Sequence, residues 1–201
     1  GAAVPEVSYG DPMGGSDTVY VTAVDGDGNA CSLINSLYQG FGSGLVVPGF
    51  GIALQNRGAL FSLDTRHPNY LQGRKRPFQT IIPAMATRGG EMWLSFGVMG
   101  GFQQPQGHLQ VVSNMVDFGL DSQKALDALR FRIDVTGSGV VKLEEDVPDE
   151  VVTELRRRGH RVQLAAGYER TEFGGGQVIA RDADTGVLTA GSEPRKDGAA
   201  V

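Results

Sequence analysis

The chain has 201 residues, 40% of them hydrophobic and 20% charged, and its formal net charge is -5. This is the composition of one globular domain with a sizeable core. The acidic balance argues against nucleic-acid binding, and no apolar run is long enough to cross a bilayer. One cysteine excludes an internal disulfide framework, and three histidines with it form no zinc-ligand spacing. We therefore expect no metal and no other cofactor.

The first residues differ from the rest of the chain. Residues 1–17 lack hydrophobic periodicity and are rich in Gly, Pro and acidic side chains. We expect them to be mobile, and residues 18–201 to be the folded domain. With no initiator Met and no signal-like start, the chain is interpreted as a processed fragment. A cytoplasmic location is slightly favoured over a periplasmic or secreted one.

A hairpin is predicted at the start of the folded part. Apolar residues alternate from Thr18 onward and predict a strand that is buried on both faces. The DGDGN sequence at 25–29 predicts a tight turn, with a return strand over Ala30–Leu37. We expect Cys31, within that strand, to be a small core residue.

The remaining sequence predicts strands mixed with helices. After a short strand at Ile52–Gln55, residues 57–82 form a long loop, which is the kind of loop that tends to be functional. Further strands are predicted at Pro83–Thr87, Met92–Val98, Val140–Leu143, Arg161–Ala165, Gln177–Arg181 and Val187–Ala190. Helices are predicted after GGFQQP (100–105), from Asp121 or Ser122 to Leu129, and from Pro148 to a stop at Gly159. Strands at both ends and helices between them predict a layered α+β fold.

Thr18 is the first candidate functional residue, since it lies where the acidic segment meets a strand. A cut between Asp17 and Thr18 would leave an α-amine beside the Thr18 hydroxyl. Such an amine has a pKa of about 7.7–8.0 and can take the hydroxyl proton. From the residues alone, Thr18 is more simply interpreted as a structural residue that starts a strand.

Gly100 and Gly101 are the second candidates. They follow a predicted strand and precede a predicted helix, a turn at which backbone N–H groups can form an oxyanion hole. A tight turn that needs positive φ is the other interpretation. No Lys-Ser/Thr pair follows them, so a P-loop is not predicted.

Several separate stretches resemble the gamma-glutamyltranspeptidase family, from Thr18 to the end of the chain. They are DTVYVTAVDGDGNA (17–30), FGSGLVVPGFGI (41–52), KRPFQTIIPA (75–84), LSFGVMGG (94–101) and GSEPRKDG (191–198). The resemblance implies an N-terminal-nucleophile hydrolase with a four-layer αββα sandwich. It also implies an inactive precursor that cuts itself just before the threonine.

The resemblance assigns roles and partners. Thr18 would be the nucleophile, Ser36 would replace a second threonine that contacts the nucleophile's amine, and Gly100 and Gly101 would stabilise the oxyanion. Residues 1–17 would end a large subunit, and residues 18–201 would be the catalytic small subunit. The implied partners are that large subunit and a small-molecule amide, with a dimer of heterodimers also open, and neither nucleic acid nor membrane is implied.

The positions that hold a γ-glutamyl group in the family are altered here. The residues predicted to contact substrate are Tyr38, Asn56, Arg57, Gln79 and Thr80. Leu60 replaces a carboxylate that would face the substrate's ammonium. Arg57, in contrast, has a guanidinium that can bind a carboxylate through two N–H groups. The stretch QNRGALFSLD (55–64) is similar to a divergent branch that includes glutathione-hydrolase-like proteins, cephalosporin-type acylases and oxamate amidohydrolase.

Three hypotheses follow from the sequence. The first is an amidohydrolase or acyltransferase that cleaves γ-glutamyl, glutathione-like amides through an acyl-enzyme. The second is an enzyme with the same catalytic residues that acts on another small acidic amide, of the oxamate or glutaryl type. The third is a scaffold subunit that keeps the fold and never matures.

Overall fold

The structure, a computed structural model, describes residues 17–135 and 137–201, so the predicted mobile segment lies outside it except for Asp17. The strands are β1 (Asp17–Val24), β2 (Ala30–Tyr38), β3 (Val46–Val47), β4 (Ile52–Ala53), β5 (Ala84–Arg88), β6 (Glu91–Met99), β7 (Phe131–Ile133), β8 (Val141–Glu144), β9 (Val162–Ala165), β10 (Gly175–Arg181) and β11 (Leu188–Ser192). The helices are α1 (Gln104–Val116), α2 (Ser122–Asp127) and α3 (Asp149–Arg157), with 3-10 turns at Arg57–Leu60, Gly101–Gln103 and Gly167–Phe173. The α+β prediction is confirmed.

The strands form four separate sheets in the described part of the chain. The largest is antiparallel, with the order β11-β10-β6-β5. The β1–β2 hairpin forms a two-stranded ribbon, and β3 pairs with β4. In the remaining sheet β8 pairs antiparallel with β7 and parallel with β9.

Strand β6 lies at the centre of a three-layer arrangement. Side chains alternate between the two faces of a strand. Its even-numbered residues Leu94, Phe96 and Val98 pack in the main core with Val111 of α1 and Leu126 of α2. Ser95 and Gly97, on the opposite face, contact Thr22 and Tyr20 of the β1–β2 ribbon. The described chain thus supplies three layers in the order ribbon, sheet, helices.

The outer face of the β1–β2 ribbon corrects two predictions. Strand β1 is not buried on both faces, because Tyr20 is 5% exposed whereas Val19 and Val21 are 56% and 55% exposed. Cys31 is also exposed, so its prediction as a core residue was wrong. The physical reason is that the described residues pack against one face of the ribbon and leave the other face apolar and uncovered.

Most predicted elements occur close to their predicted positions. The Asp121 side chain caps α2 by accepting a hydrogen bond from Lys124 N at 2.8 Å, and Gly159 follows α3 with a φ of 92°. Strand β7 and the turn Gly167–Phe173 were not predicted, and the loop at 57–82 contains the Arg57–Leu60 turn. No helix among the described residues is long and apolar enough to span a bilayer.

Four buried charged side chains, the ionic cluster, join the C-terminal segment to the core. Arg130 lies 2.8 Å from Glu193, and Arg195 lies 2.6 Å from Glu193 and 2.5 Å from Glu144. Glu193 also accepts a hydrogen bond from Gly176 N at 2.8 Å, which ties the cluster to β10. The segment after Gly191, polar by sequence, is therefore partly internal.

Candidate active site

Thr18 stands at an irregularity at the start of β1. It pairs with Ser36 of β2, and the two hydroxyl oxygens are 2.9 Å apart. The register shifts between Asp17 and Thr18, so that Asp17 pairs with Tyr38 and Leu37 is skipped. Bulges of this kind are common next to active sites. With the Asp17–Thr18 peptide bond intact, Thr18 is 8% exposed.

Tyr38 adopts a strained backbone beside this pair. Its φ of 79° is uncommon for a bulky residue. The conformation brings Tyr38 N within 3.0 Å of Ser36 Oγ, to which it donates a hydrogen bond. Strain of this type persists where the surrounding structure enforces it, frequently at functional sites.

Arg57 is the charged member of the group. Its side chain donates from Nη2 to Ser36 Oγ at 2.9 Å and from Nη1 to Thr80 Oγ1 at 2.8 Å. The guanidinium also lies 4.9 Å from the centre of the Tyr38 ring, a cation–π contact. Arg57 is 4% exposed, and this burial lowers its pKa from the usual value, although a guanidinium stays charged near neutral pH.

Five of the predicted site residues are therefore linked by direct contacts. We name this set the Thr18 cluster: Thr18, Ser36, Tyr38, Arg57 and Thr80. The loop after β4 carries Arg57, and the segment before β5 carries Thr80. Residues from three distant stretches thus meet at the first residue of the predicted small subunit.

The other predicted substrate contacts lie differently. Asn56 is engaged with Gln39, accepting from its backbone N at 3.1 Å and donating to its side-chain oxygen at 2.7 Å. These two hydrogen bonds fix the position of the chain directly after β2. Gln79 is exposed, next to the buried Thr80. Leu60 is half-buried, and its carbonyl accepts a hydrogen bond from Asn69 Nδ2 at 2.6 Å.

Gly100 and Gly101 form the turn between β6 and α1. Their φ values of 144° and 58° favour glycine. A Cβ on Gly100 would lie 3.0 Å from Gly174 Cα, so the backbones approach closely there. The tight-turn interpretation is thereby confirmed, and the oxyanion role stays a prediction.

The contacts between β1 and β6 relate Thr18 to this turn. Thr22 Oγ1 lies 2.6 Å from Ser95 Oγ. Two residues earlier in β1 and two residues later in β6, the Tyr20 ring covers Gly97, where an added Cβ would lie 2.6 Å from the ring. If the same step of two residues in each strand continues, we expect Thr18 to lie level with Met99, directly before Gly100. The strand packing is therefore consistent with the prediction that Thr18 and the glycine turn belong to one site.

This interlayer contact was missed by the sequence reasoning. Tyr20 OH is 2.7 Å from Ser32 Oγ, and burial raises the pKa of Tyr20. The available signal was periodicity, since Tyr20 and Thr22 share a strand face with Thr18.

His108 does not act at this cluster. It lies on α1, where its ring nitrogens are 2.6 Å from Gln104 O and 2.9 Å from Ile82 O. Burial lowers its pKa. Across the described residues, no group of three or more His, Cys, Asp or Glu side chains could hold a metal ion.

Fold and cluster together define a class of protein. A layered α+β structure with a hydroxyl residue near the start of its first strand, beside a second hydroxyl and a buried cation, fits the N-terminal-nucleophile hydrolases. A free α-amine at Thr18 would complete the catalytic unit of that class.

Comparison with known proteins specifies the family. The family model described as Gamma-glutamyltranspeptidase matches residues 4–201, and the chain belongs to this family. It is 40% identical over 191 residues to the glutathione hydrolase-like YwrD proenzyme of Bacillus subtilis, covering 93% of this chain and 36% of that protein. It is 35% identical over 196 residues to the oxamate amidohydrolase proenzyme of Klebsiella pneumoniae, covering 96% and 37%.

A solved structure shows the same fold. The cephalosporin acylase from Bacillus halodurans superposes with a TM-score of 0.84 at 50% identity, covering 90% of this chain and 33% of that one. The chain thus spans about a third of the length of these relatives.

Proposed function

We propose that this chain is the catalytic small-subunit part of an N-terminal-threonine amidohydrolase and acyltransferase, which matures by cutting itself between Asp17 and Thr18. The observation that carries the proposal is the hydroxyl pair of Thr18 and Ser36, 2.9 Å apart and held beside the buried Arg57. The family membership and the proenzyme names of both relatives support it.

Maturation uses the same nucleophile as turnover. Thr18 Oγ attacks the carbonyl carbon of Asp17, the peptide C–N bond breaks, and the Asp17 acyl group passes to the oxygen as an ester. Water then hydrolyses the ester, which leaves a carboxylate on Asp17 and a free α-amine on Thr18. That amine, with a pKa of about 7.7–8.0, becomes the base for the adjacent hydroxyl.

Turnover follows as acyl transfer. Thr18 Oγ attacks the substrate's amide carbonyl while the α-amine takes its proton and passes it to the leaving amine. Gly100 and Gly101 N–H groups stabilise the oxyanion, for which one donor typically contributes about 3–4 kcal/mol. Water or an acceptor amine then releases the acyl group.

The proposed substrates are small amides whose acyl group carries a carboxylate. The described hydrogen bonds of Arg57 use one N–H on each of Nη1 and Nη2, and a guanidinium has five. The remaining N–H groups can bind a carboxylate. An ammonium placed against Leu60 would lack a charged partner, at a cost of several kcal/mol. Oxamate and glutaryl-type amides are therefore favoured over γ-glutamyl ones.

A large subunit from the same precursor is the proposed partner. The uncovered face of the β1–β2 ribbon presents Val19, Val21 and Leu33, each more than half exposed. Contiguous apolar surface of this kind marks an interface. The large subunit would supply the fourth layer of the sandwich on this face.

The test uses the full-length precursor. Mass spectrometry of the purified protein should find two pieces, one beginning at Thr18. Thr18→Ala should leave one piece and no amidase activity, whereas the matched Thr18→Ser keeps a hydroxyl and should still cut. An uncut wild-type precursor would establish the scaffold hypothesis instead.

The substrate class is tested on the matured enzyme. Oxamate and glutaryl anilide should turn over faster than γ-glutamyl anilide. The reverse order would contradict the interpretation of Leu60 and leave the N-terminal-threonine chemistry standing.

A further inference from the structure

We infer that Arg57 is a positioning residue that fixes the direction of the hydrogen bond between Ser36 and Thr18, so that Ser36 donates its proton to Thr18 Oγ. The inference rests on the proposed function, because it assigns Arg57 a task in both self-cleavage and turnover. That task is separate from binding a substrate carboxylate.

The argument starts from the neighbours of the Ser36 hydroxyl. Three polar atoms surround its oxygen: Arg57 Nη2 at 2.9 Å, Tyr38 N at 3.0 Å and Thr18 Oγ1 at 2.9 Å. A serine hydroxyl accepts two hydrogen bonds and donates one. Since a guanidinium N–H and a backbone N–H can only donate, they fill both acceptor sites of Ser36. Its proton is left for Thr18 Oγ1.

This direction has a chemical consequence at Thr18. Because Thr18 Oγ accepts from Ser36, the bond between the two hydroxyls does not use the Thr18 proton, and a base can take that proton without breaking this bond. The bond from Ser36 also stabilises the negative charge that grows on Thr18 Oγ as that proton leaves. Arg57 strengthens the bond, because a hydroxyl that accepts from a cation is the better donor.

The position of Arg57 is enforced from several sides. Nη1 is anchored on Thr80 Oγ1 at 2.8 Å, the Tyr38 ring lies 4.9 Å away, and Arg57 N is bonded to the Gln55 side chain at 2.5 Å. The strained φ of 79° at Tyr38 supplies the second donor to Ser36. Strain and burial together thus serve the orientation of a single hydroxyl.

Self-cleavage of the full-length precursor provides a readout that needs no substrate. Arg57→Gln should slow the appearance of the Thr18 terminus by about ten- to a hundredfold, the range of one charge-assisted hydrogen bond. Ser36→Ala should slow it similarly, and Ser36→Thr should restore it. Arg88→Gln is the matched control, since exposed Arg88 stacks 4.2 Å from the Trp93 ring and should cleave at the wild-type rate.

The double variant separates this task from a purely structural one. If Arg57 acts through Ser36, then Arg57→Gln combined with Ser36→Ala should be no slower than Ser36→Ala alone. In matured enzyme, kcat should fall for acyl groups with and without a carboxylate. Multiplied losses in the double variant would overturn the inference.

Other outcomes are equally decisive. If Arg57→Gln cleaves at the wild-type rate and only raises KM for carboxylate-bearing substrates, Arg57 serves binding alone and the proposed function stands. If Arg57→Gln does not fold, Ser36→Ala carries the test, because wild-type cleavage in that variant would show that Ser36 donates nothing of value. A wild-type precursor that never cuts would instead refute the proposed function.

Discussion

Two regions of this protein bury arginines, and they do so in opposite ways. In the ionic cluster, Arg130 and Arg195 meet the carboxylates of Glu144 and Glu193 at 2.5–2.8 Å. In the Thr18 cluster, Arg57 meets two hydroxyls and an aromatic ring, and no carboxylate among the described residues pairs with it.

The difference separates structure from function. A buried cation with carboxylate partners has its charge balanced, and the ion pairs hold secondary-structure elements together. A buried cation bonded to neutral groups retains an unbalanced charge, which costs desolvation energy and is available to an anion or to a developing negative charge. A cation of this kind, bonded to the hydroxyl that contacts a candidate nucleophile, indicates a functional site.

Breaking the ionic cluster should have the largest effect on stability. Glu193→Ala leaves the buried Arg130 side chain without its ion-pair partner and Arg195 with Glu144 alone. Removing one partner of a buried pair typically costs about 3–5 kcal/mol. Urea unfolding of the matured protein should show this loss. A change below the error of the measurement would mean that water enters and solvates the cluster.

Displacing the ribbon should have the next largest effect. Gly97→Ala places a Cβ 2.6 Å from the Tyr20 ring, so β1 must shift away from β6. Overpacking of this kind costs about 1–3 kcal/mol, and self-cleavage should slow as Thr18 moves. Gly73→Ala is the control, because nothing lies within 4 Å of its added Cβ. Equal rates in both variants would show that β1 position does not matter.

The dependence of stability on acidic pH should distinguish the ionic cluster from the Thr18 cluster. Burial opposes ionisation of Glu144, yet hydrogen bonds from Arg195, Arg130 N and Arg170 hold its pKa below its usual value. Because the folded pKa is lowered, this stabilisation is present above the unfolded pKa of about 4.3 and is lost as pH falls through the folded pKa. Glu144→Gln should flatten the acid limb of stability against pH, whereas Arg57→Gln should leave that limb unchanged.

The smallest expected effect on stability is at Arg57. Arg57→Gln removes a buried charge that has no carboxylate partner, so the loss of its hydrogen bonds is offset by relief of desolvation. The free energy of unfolding should change by less than about 1 kcal/mol while self-cleavage slows. A loss of stability as large as that of Glu193→Ala would mean that Arg57, like the arginines of the ionic cluster, serves mainly to stabilise the fold.

Particular residues show how far the sequence could be interpreted. Alternation and turn chemistry predicted the β1–β2 hairpin, and side-chain capping predicted the start of α2 at Asp121. The resemblance named all five members of the Thr18 cluster. It could not indicate that Arg57 reaches Ser36, because that contact joins residues 21 positions apart through the fold of a loop.

The errors have a common cause. Val19 and Cys31 look like core residues by pattern, since an apolar strand face is the same whether a helix of the same chain or another subunit covers it. The burial of Glu193 and Arg195 could not be predicted either, because burial of charge depends on partners that meet only in the folded chain.

By itself the sequence determined the order of the elements, the family and the residue types at the site, because periodicity, turn residues and motifs are local properties of a chain. The tertiary structure alone decided which hydroxyl accepts from which donor, which arginine is balanced by carboxylates, and which face of the ribbon stays open. These depend on distances between residues far apart in sequence, and such distances are set only when the layers pack.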